Sequence, residues 1–167
     1  MADLKLAYRA SSNLTVTNLH SIATSATWVA GWESGVVDNT TNKDLDILVS
    51  GKIALGNSAT VGQIRVYIVA PIDDAPTWPD VMDGTESVET WTTTTIRDGA
   101  AKLGAAIETR ADPGTDDVYW IAPFSVAALF GGVLPPKFLI FVTHSTGVNL
   151  KASDNQITVQ GVYETVA

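Results

Sequence analysis

The chain has 167 residues, of which 46% are hydrophobic and 17% charged, with a net charge of −8 and no cysteine. This length suits one domain that buries a core without covalent or metal staples, and the missing cysteines exclude disulfides, a thiol nucleophile and thiolate metal sites. Ten scattered Lys and Arg in an acidic chain argue against nucleic acid or an anionic membrane as partner, because that affinity comes from clustered cations displacing counterions.

Strand-like alternation begins at once. Leu4, Leu6 and Tyr8 share one face of an extended segment, with Lys5, Ala7 and Arg9 on the other, so residues 1–10 read as an N-terminal arm or an edge strand. After the turn-prone Ser11-Ser12-Asn13, Leu14 to Leu19 reads as a second extended run. Thr24 to Val37, rich in small and β-branched residues, carries Trp28 and Trp32 on one side of an extended chain. Asp38 to Asn42 is a loop, since Asn and Asp satisfy turn backbones with their own side chains.

In Asp44 to Ile53, Leu45, Ile47 and Val49 oppose Asp44, Asp46 and Ser50, which describes a half-buried strand with Gly51 as a bulge or bend. Ile64, Val66 and Ile68 oppose Gln63, Arg65 and Tyr67 in the next run, and these two runs are expected to pair as antiparallel neighbours. Pro71 to Thr95 breaks the pattern, with acids interleaved among Pro71, Pro76, Pro79, Trp78 and Trp91. An irregular stretch this long is either a contact loop or a connection tied down by its own aromatics.

Ile96 to Arg110 fits a helix face in part. Gly99 and Gly104 each lower helix odds by about 1 kcal/mol relative to Ala, and alternation of Ala101, Leu103, Ala105 and Ile107 favours a strand. Asp112-Pro113-Gly114 is a turn. Val118 to Phe124 resumes an extended run, and Ser125 to Phe130 is a single helical turn closed by Gly131-Gly132. Lys137 to Thr143 follows Pro135-Pro136 and is apolar on both faces, as a central strand or one covered by another subunit would be. Ile157 to Val166 alternates again and closes the sheet. Eight to ten strands at this spacing predict an all-β chain: one antiparallel β-sandwich domain over residues 1–167, with jelly-roll connections.

Reactive chemistry is thinly represented. His20 and His144 are the two candidate bases, neither in a nucleophile motif, and His144 reads better as a turn residue bonding the local backbone. Asp80, Asp83 and Glu86 lack the alternating oxygens and distant bidentate Glu of a calcium loop, and Asp112, Asp116 and Asp117 form a second acidic loop; both read better as solvated acids. The expectation is a protein that is not an enzyme and that needs no cofactor or metal. Five tryptophans argue for binding instead. Trp28, Trp32 and Trp120 lie in strand-like context and are expected in the core; Trp78 and Trp91 lie in the irregular segment and are the surface candidates. The low charge content, against about a quarter in ordinary chains, fits surface hidden against a partner or wetted by Ser and Thr hydroxyls.

Three stretches carry a resemblance: LTVTNLHSIATSATWVAGWE at 14–33, Gln63 to Ala70 followed by Trp78-Pro79-Asp80, and FGGVLPPKFLIFVTHSTGVNL at 130–150. They resemble the head decoration, or cement, proteins of tailed bacteriophages, whose similar stretches read TWVAGWES, RVYVVA followed by WPDVxDG, and PKKFxLFVTHNTG. The resemblance implies a jelly-roll domain, commonly a homotrimer, on the exterior of the virion, clamping neighbouring major capsid proteins after assembly in the host cytoplasm. No family motif assigns the contact residues, so they are read from the chain itself. Leu4, Lys5, Leu6, Tyr8 and Arg9 form one candidate contact region, and Trp78, Asp80 and Trp91 in the irregular segment form the other. The alternative is a carbohydrate- or receptor-binding module of a phage fibre or tail that uses Trp78, Trp91 and nearby acids. No apolar signal-peptide core or run of about 18 apolar residues is seen, which fits a protein made in the cytosol.

Overall fold

In Asp46–Ala54 (β5) alternate residues Ile47, Val49 and Ile53 are buried while the residues between them are only partly covered, and the same period of two runs through the other long strands. The computed structural model describes residues 3–111 and 117–166; the turn expected at Asp112-Pro113-Gly114, with Asp116, lies outside them. Two antiparallel sheets result. In the first, β1 (Leu4–Tyr8) and β2 (Ser12–Asn13) share one edge of β11 (Gln156–Val166), which is followed by β5 and β9 (Val118–Ser125). In the second, β7 (Ser87–Thr90) pairs with β3 (Ala30–Glu33), which shares an edge of β10 (Lys137–His144) with β4 (Val37–Asp38); β6 (Gly62–Val69) and β8 (Ala101–Thr109) complete it.

The pairing is nested. With β1/β2 and β3/β4 each counted once and β7 set aside, the first strand pairs with the last, the second with the seventh, the third with the sixth and the fourth with the fifth. That is the connectivity of a jelly roll. It also corrects one expectation: β5 and β6 lie in different sheets, because the chain crosses the sandwich between them. The run expected from Leu14 to Leu19 is irregular, and of Thr24 to Val37 only β3 and β4 are strands. Trp28 sits in a left-handed conformation (φ 55°) under the Arg65 guanidinium, 3.8 Å away.

Ile96 to Arg110 is not one strand. Thr94–Ala100 forms a helix (α1) whose first turn is capped by Thr93, with its Oγ1 accepting from the Ile96 amide at 3.1 Å. Arg97 locks the helix down, donating to the carbonyls of Thr27 and Trp28 at 2.8 and 2.9 Å. The chain becomes β8 only at Ala101. The short helix α2 (Val126–Leu129) forms where expected, capped by Ser125 and ended by Gly131 and Gly132 at φ 74° and 93°.

The main core lies between the sheets and contains Trp32, Val49, Ile53, Ile64, Val66, Phe138, Ile140 and Ile157. A second cluster lies on the outer face of the second sheet. There Tyr67, Val69, Leu139 and Phe141 are covered by Met82, Trp91 and Ala101 from the 71–101 segment. This explains the doubly apolar β10: it is a central strand, and one of its faces is sealed by the chain itself.

Candidate protein-contact ribbon

β11 outruns its inner neighbour. Its partner β5 begins at Asp46, opposite Val162, so Tyr163 to Val166 pair only with Leu4 to Ala7 of β1. A two-stranded ribbon therefore leaves the sandwich. Register places Leu4 beside Val166, Leu6 beside Glu164 and Tyr8 beside Val162 on one face. Leu4, Leu6, Tyr8 and Val166 are each 60–67% exposed. Isolated two-stranded ribbons are marginal in water, so this one needs an anchor or a partner.

Arg9 is the anchor. Its amide donates to the Gly161 carbonyl at 2.9 Å, its Nε meets the buried carboxylate of Asp44 at 2.6 Å, and its guanidinium lies over the Tyr163 ring at 4.6 Å. Asp44 is held in turn by Asn39, which accepts from the Asp44 amide at 2.8 Å and donates to its carbonyl at 2.9 Å. The Asp44 carboxylate occupies the space a Cβ at position 161 would need, hence the glycine. Of the N-terminal candidates, Leu4, Lys5, Leu6 and Tyr8 are open to a partner, whereas Arg9 is committed to the fold. Arg9→Ala leaves a buried carboxylate without its cation and is expected to cost about 2 kcal/mol, less than a fully buried pair because Arg9 is partly exposed. Faster amide exchange at Tyr163 to Val166, with the remainder of the sheet unchanged, is the expected signature.

The second candidate set is placed differently. Trp91 is 1% exposed and packs edge-on against Phe141 with ring centroids 5.9 Å apart, which corrects the expectation that it is a surface residue. Trp78 is half-buried against the same cluster. Asp80 is exposed but ties the segment to itself, accepting from the Thr92 amide at 2.7 Å and the Thr92 hydroxyl at 2.8 Å. The physical reason is that the irregular segment is the lid of the outer cluster. β1 belongs to the other sheet, so the fold does not bring the two candidate regions together.

The acids that faintly suggested calcium diverge. Asp83 accepts from the Thr85 amide, and Glu86 accepts from the Asn18 amide, the Asn18 side chain and the Trp32 indole. No group of three or more His, Asp or Glu is arranged to hold a metal among the described residues. His144 is buried, with Nδ1 3.0 Å from the Thr146 hydroxyl and Nε2 3.3 Å from the Ile22 carbonyl, and burial pushes its pKa down to about 4. Its neighbours are structural.

Trp120 was missed. Expected in the core, it is 72% exposed on the outer face of the first sheet. Alternation does put Trp120 opposite Tyr119 and Ile121, so the face change was visible; which face lies bare was not. No protein-family model, curated protein or solved structure matches this chain.

Proposed function

We propose that this protein is a structural, non-catalytic component of a bacteriophage virion. It decorates the exterior of the capsid and stabilises it, as a trimer that clamps neighbouring major capsid proteins. The observation that carries this reading is the β1–β11 ribbon, which presents Leu4, Leu6, Tyr8 and Val166 to solvent on one face. Contiguous exposed apolar side chains on one face of an anchored ribbon are a docking surface in want of a partner. The sequence resemblance to decoration proteins supplies the partner's identity. A protein that binds the assembled shell but not its separated subunits stabilises the shell by mass action.

The test is reconstitution on shells of the encoding phage stripped of this protein. Burying each of Leu4, Leu6 and Val166 is worth about 1.5–3 kcal/mol. The variant carrying Leu4→Ser, Leu6→Ser and Val166→Ser together is therefore expected to bind roughly a thousandfold more weakly, with an unchanged melting temperature. Full occupancy by that variant overturns the proposal.

A further inference from the structure

A groove crosses the outer face of the first sheet at the end of β11 opposite the ribbon. β5 and β9 pair Val49 with Phe124 but Gly51 with Ile121, so β9 carries one extra residue here. Pro123 sits in that bulge, where a missing N–H breaks no ladder bond. The step opens a groove of about 270 Å³ lined by Trp120, Pro123, Ser50, Lys52, Gln156 and Thr158. Its size is at the low end for ligand clefts and suits one ring rather than a peptide.

Register aligns its chemistry. Gln156, Lys52 and Trp120 are cross-strand neighbours in one row over three strands, and Thr158 and Ser50 form the adjacent row. Trp120 supplies a broad exposed ring whose face carries negative charge density. The Trp120 indole N–H, the Ser50 hydroxyl, the Lys52 ammonium and Gln156 Oε1 make no hydrogen bond within the described residues. Gln156 Nε2 is held by Asn13 Oδ1 at 2.8 Å and Thr158 Oγ1 at 3.2 Å, which fixes the amide with its oxygen free. An aromatic plate bordered by unused donors and acceptors matches a pyranose, which offers a C–H face to stack and hydroxyls at its rim.

We propose that this groove binds a pyranose ring of a glycan, with Trp120 as the stacking face and Ser50, Lys52 and Gln156 bonding ring hydroxyls. The site differs in place and residues from the apolar ribbon. Thr158 and Val162, which pairs with Tyr8, are four residues apart on β11, roughly 13 Å in an extended strand, and the outer ribbon residue Val166 lies further off, so the groove and the ribbon are separate patches of one face. The chemistry of the groove is independent of what the ribbon docks on.

The experiment is titration of the purified protein with cellopentaose, maltopentaose, chitopentaose and a β-galactan pentasaccharide, read by calorimetry and by the indole N–H resonances. At least one probe is expected to bind with Kd below about 1 mM and to move the Trp120 resonance. Trp120→Ala is expected to weaken it by roughly tenfold or more, while Trp120→Tyr retains most of the affinity. Sedimentation of the wild type and of Trp120→Ala is run beside the titration. Failure of all four probes overturns the proposal, as does equal binding by Trp120→Ala. Self-association that vanishes in Trp120→Ala also overturns it, by placing a second copy of the chain in the groove.

Discussion

Trp91→Ala should unfold with a loss of about 3–5 kcal/mol, the range for removing a fully buried large aromatic. Trp91 is 1% exposed and joins the 71–101 segment to Tyr67, Val69, Leu139 and Phe141. In a chain of this length each kcal/mol shifts the melting temperature by roughly 2–4 °C, so a drop of roughly 6–20 °C is expected. Trp91 Nε1 is buried without an acceptor among the described residues, which gives a second, graded expectation. Trp91→Phe removes that orphan donor along with part of the ring and should lose less than half as much. Chemical denaturation of the three proteins measures both values. An unchanged midpoint in Trp91→Ala would return Trp91 to the surface.

Trp91 and Trp120 also show where sequence reading stops. Trp120 lies in a clean alternating strand and was expected in the core, whereas Trp91 lies among prolines and acids and was expected outside. The fold reverses both, for one reason. The 71–101 segment covers the outer face of the second sheet, and no described segment covers Trp120 on the outer face of the first. Period-two alternation says that Trp120 and Ile121 face opposite ways; it carries no information about which outer face a distant segment will seal. The strands β1, β5, β6, β9, β10 and β11, the helical turn from Ser125 and the doubly apolar character of β10 were legible because local pattern encodes them; β7, inside the segment read as irregular, was not, and the run read as extended at Leu14 to Leu19 is irregular. The partnering of β5 and β6 was not legible, since two amphipathic runs look the same whether they pair or face each other across a sandwich. In Ile96 to Arg110, glycine propensity argued against a helix, but Thr93 capping and the Arg97 bonds outweigh it over seven residues. The candidate ribbon was half visible: Leu4, Leu6 and Tyr8 could be read as one face, but the overhang of β11 beyond Asp46 is a matter of register.

Two buried ionisable groups set opposite pH dependences. Glu33, on the outer face of β3, accepts from the amides of Gly84 and Asp83 at 2.6 and 3.1 Å through Oε1, while its buried Oε2 has no partner among the described residues. Burial raises its pKa from 4.5 to about 7, helped by the charges of Asp83 and Glu89 and opposed by the two amides. Because the folded value is the higher one, the stability it contributes is complete below pH 4.5 and is lost as pH rises to about 7. His144 behaves in the reverse sense. Burial lowers it from 6.5 to about 4, so its contribution is complete above pH 6.5 and is lost as pH falls to about 4.

Each separation is worth about 3 kcal/mol, and the two windows overlap between pH 4.5 and 6.5 with slopes of opposite sign. The wild type should therefore melt at nearly constant temperature across that interval. Asp38, Asp73 and Asp154, held below the usual carboxylate range mainly by Thr40, Thr77 and Lys151, add their dependence only at more acid pH. Glu33→Gln keeps an oxygen for the two amides and removes the charge, which leaves the slope of His144 alone. Its stability should rise by about 2 kcal/mol from pH 4.5 to 6.5, where the unfolded histidine is half-titrated, roughly 4–8 °C in melting temperature. His144→Gln should tilt the other way, falling over the same interval. Calorimetry at half-unit steps distinguishes the cases: two mutants with the flat profile of the wild type would mean that neither group titrates in the folded protein as its burial requires.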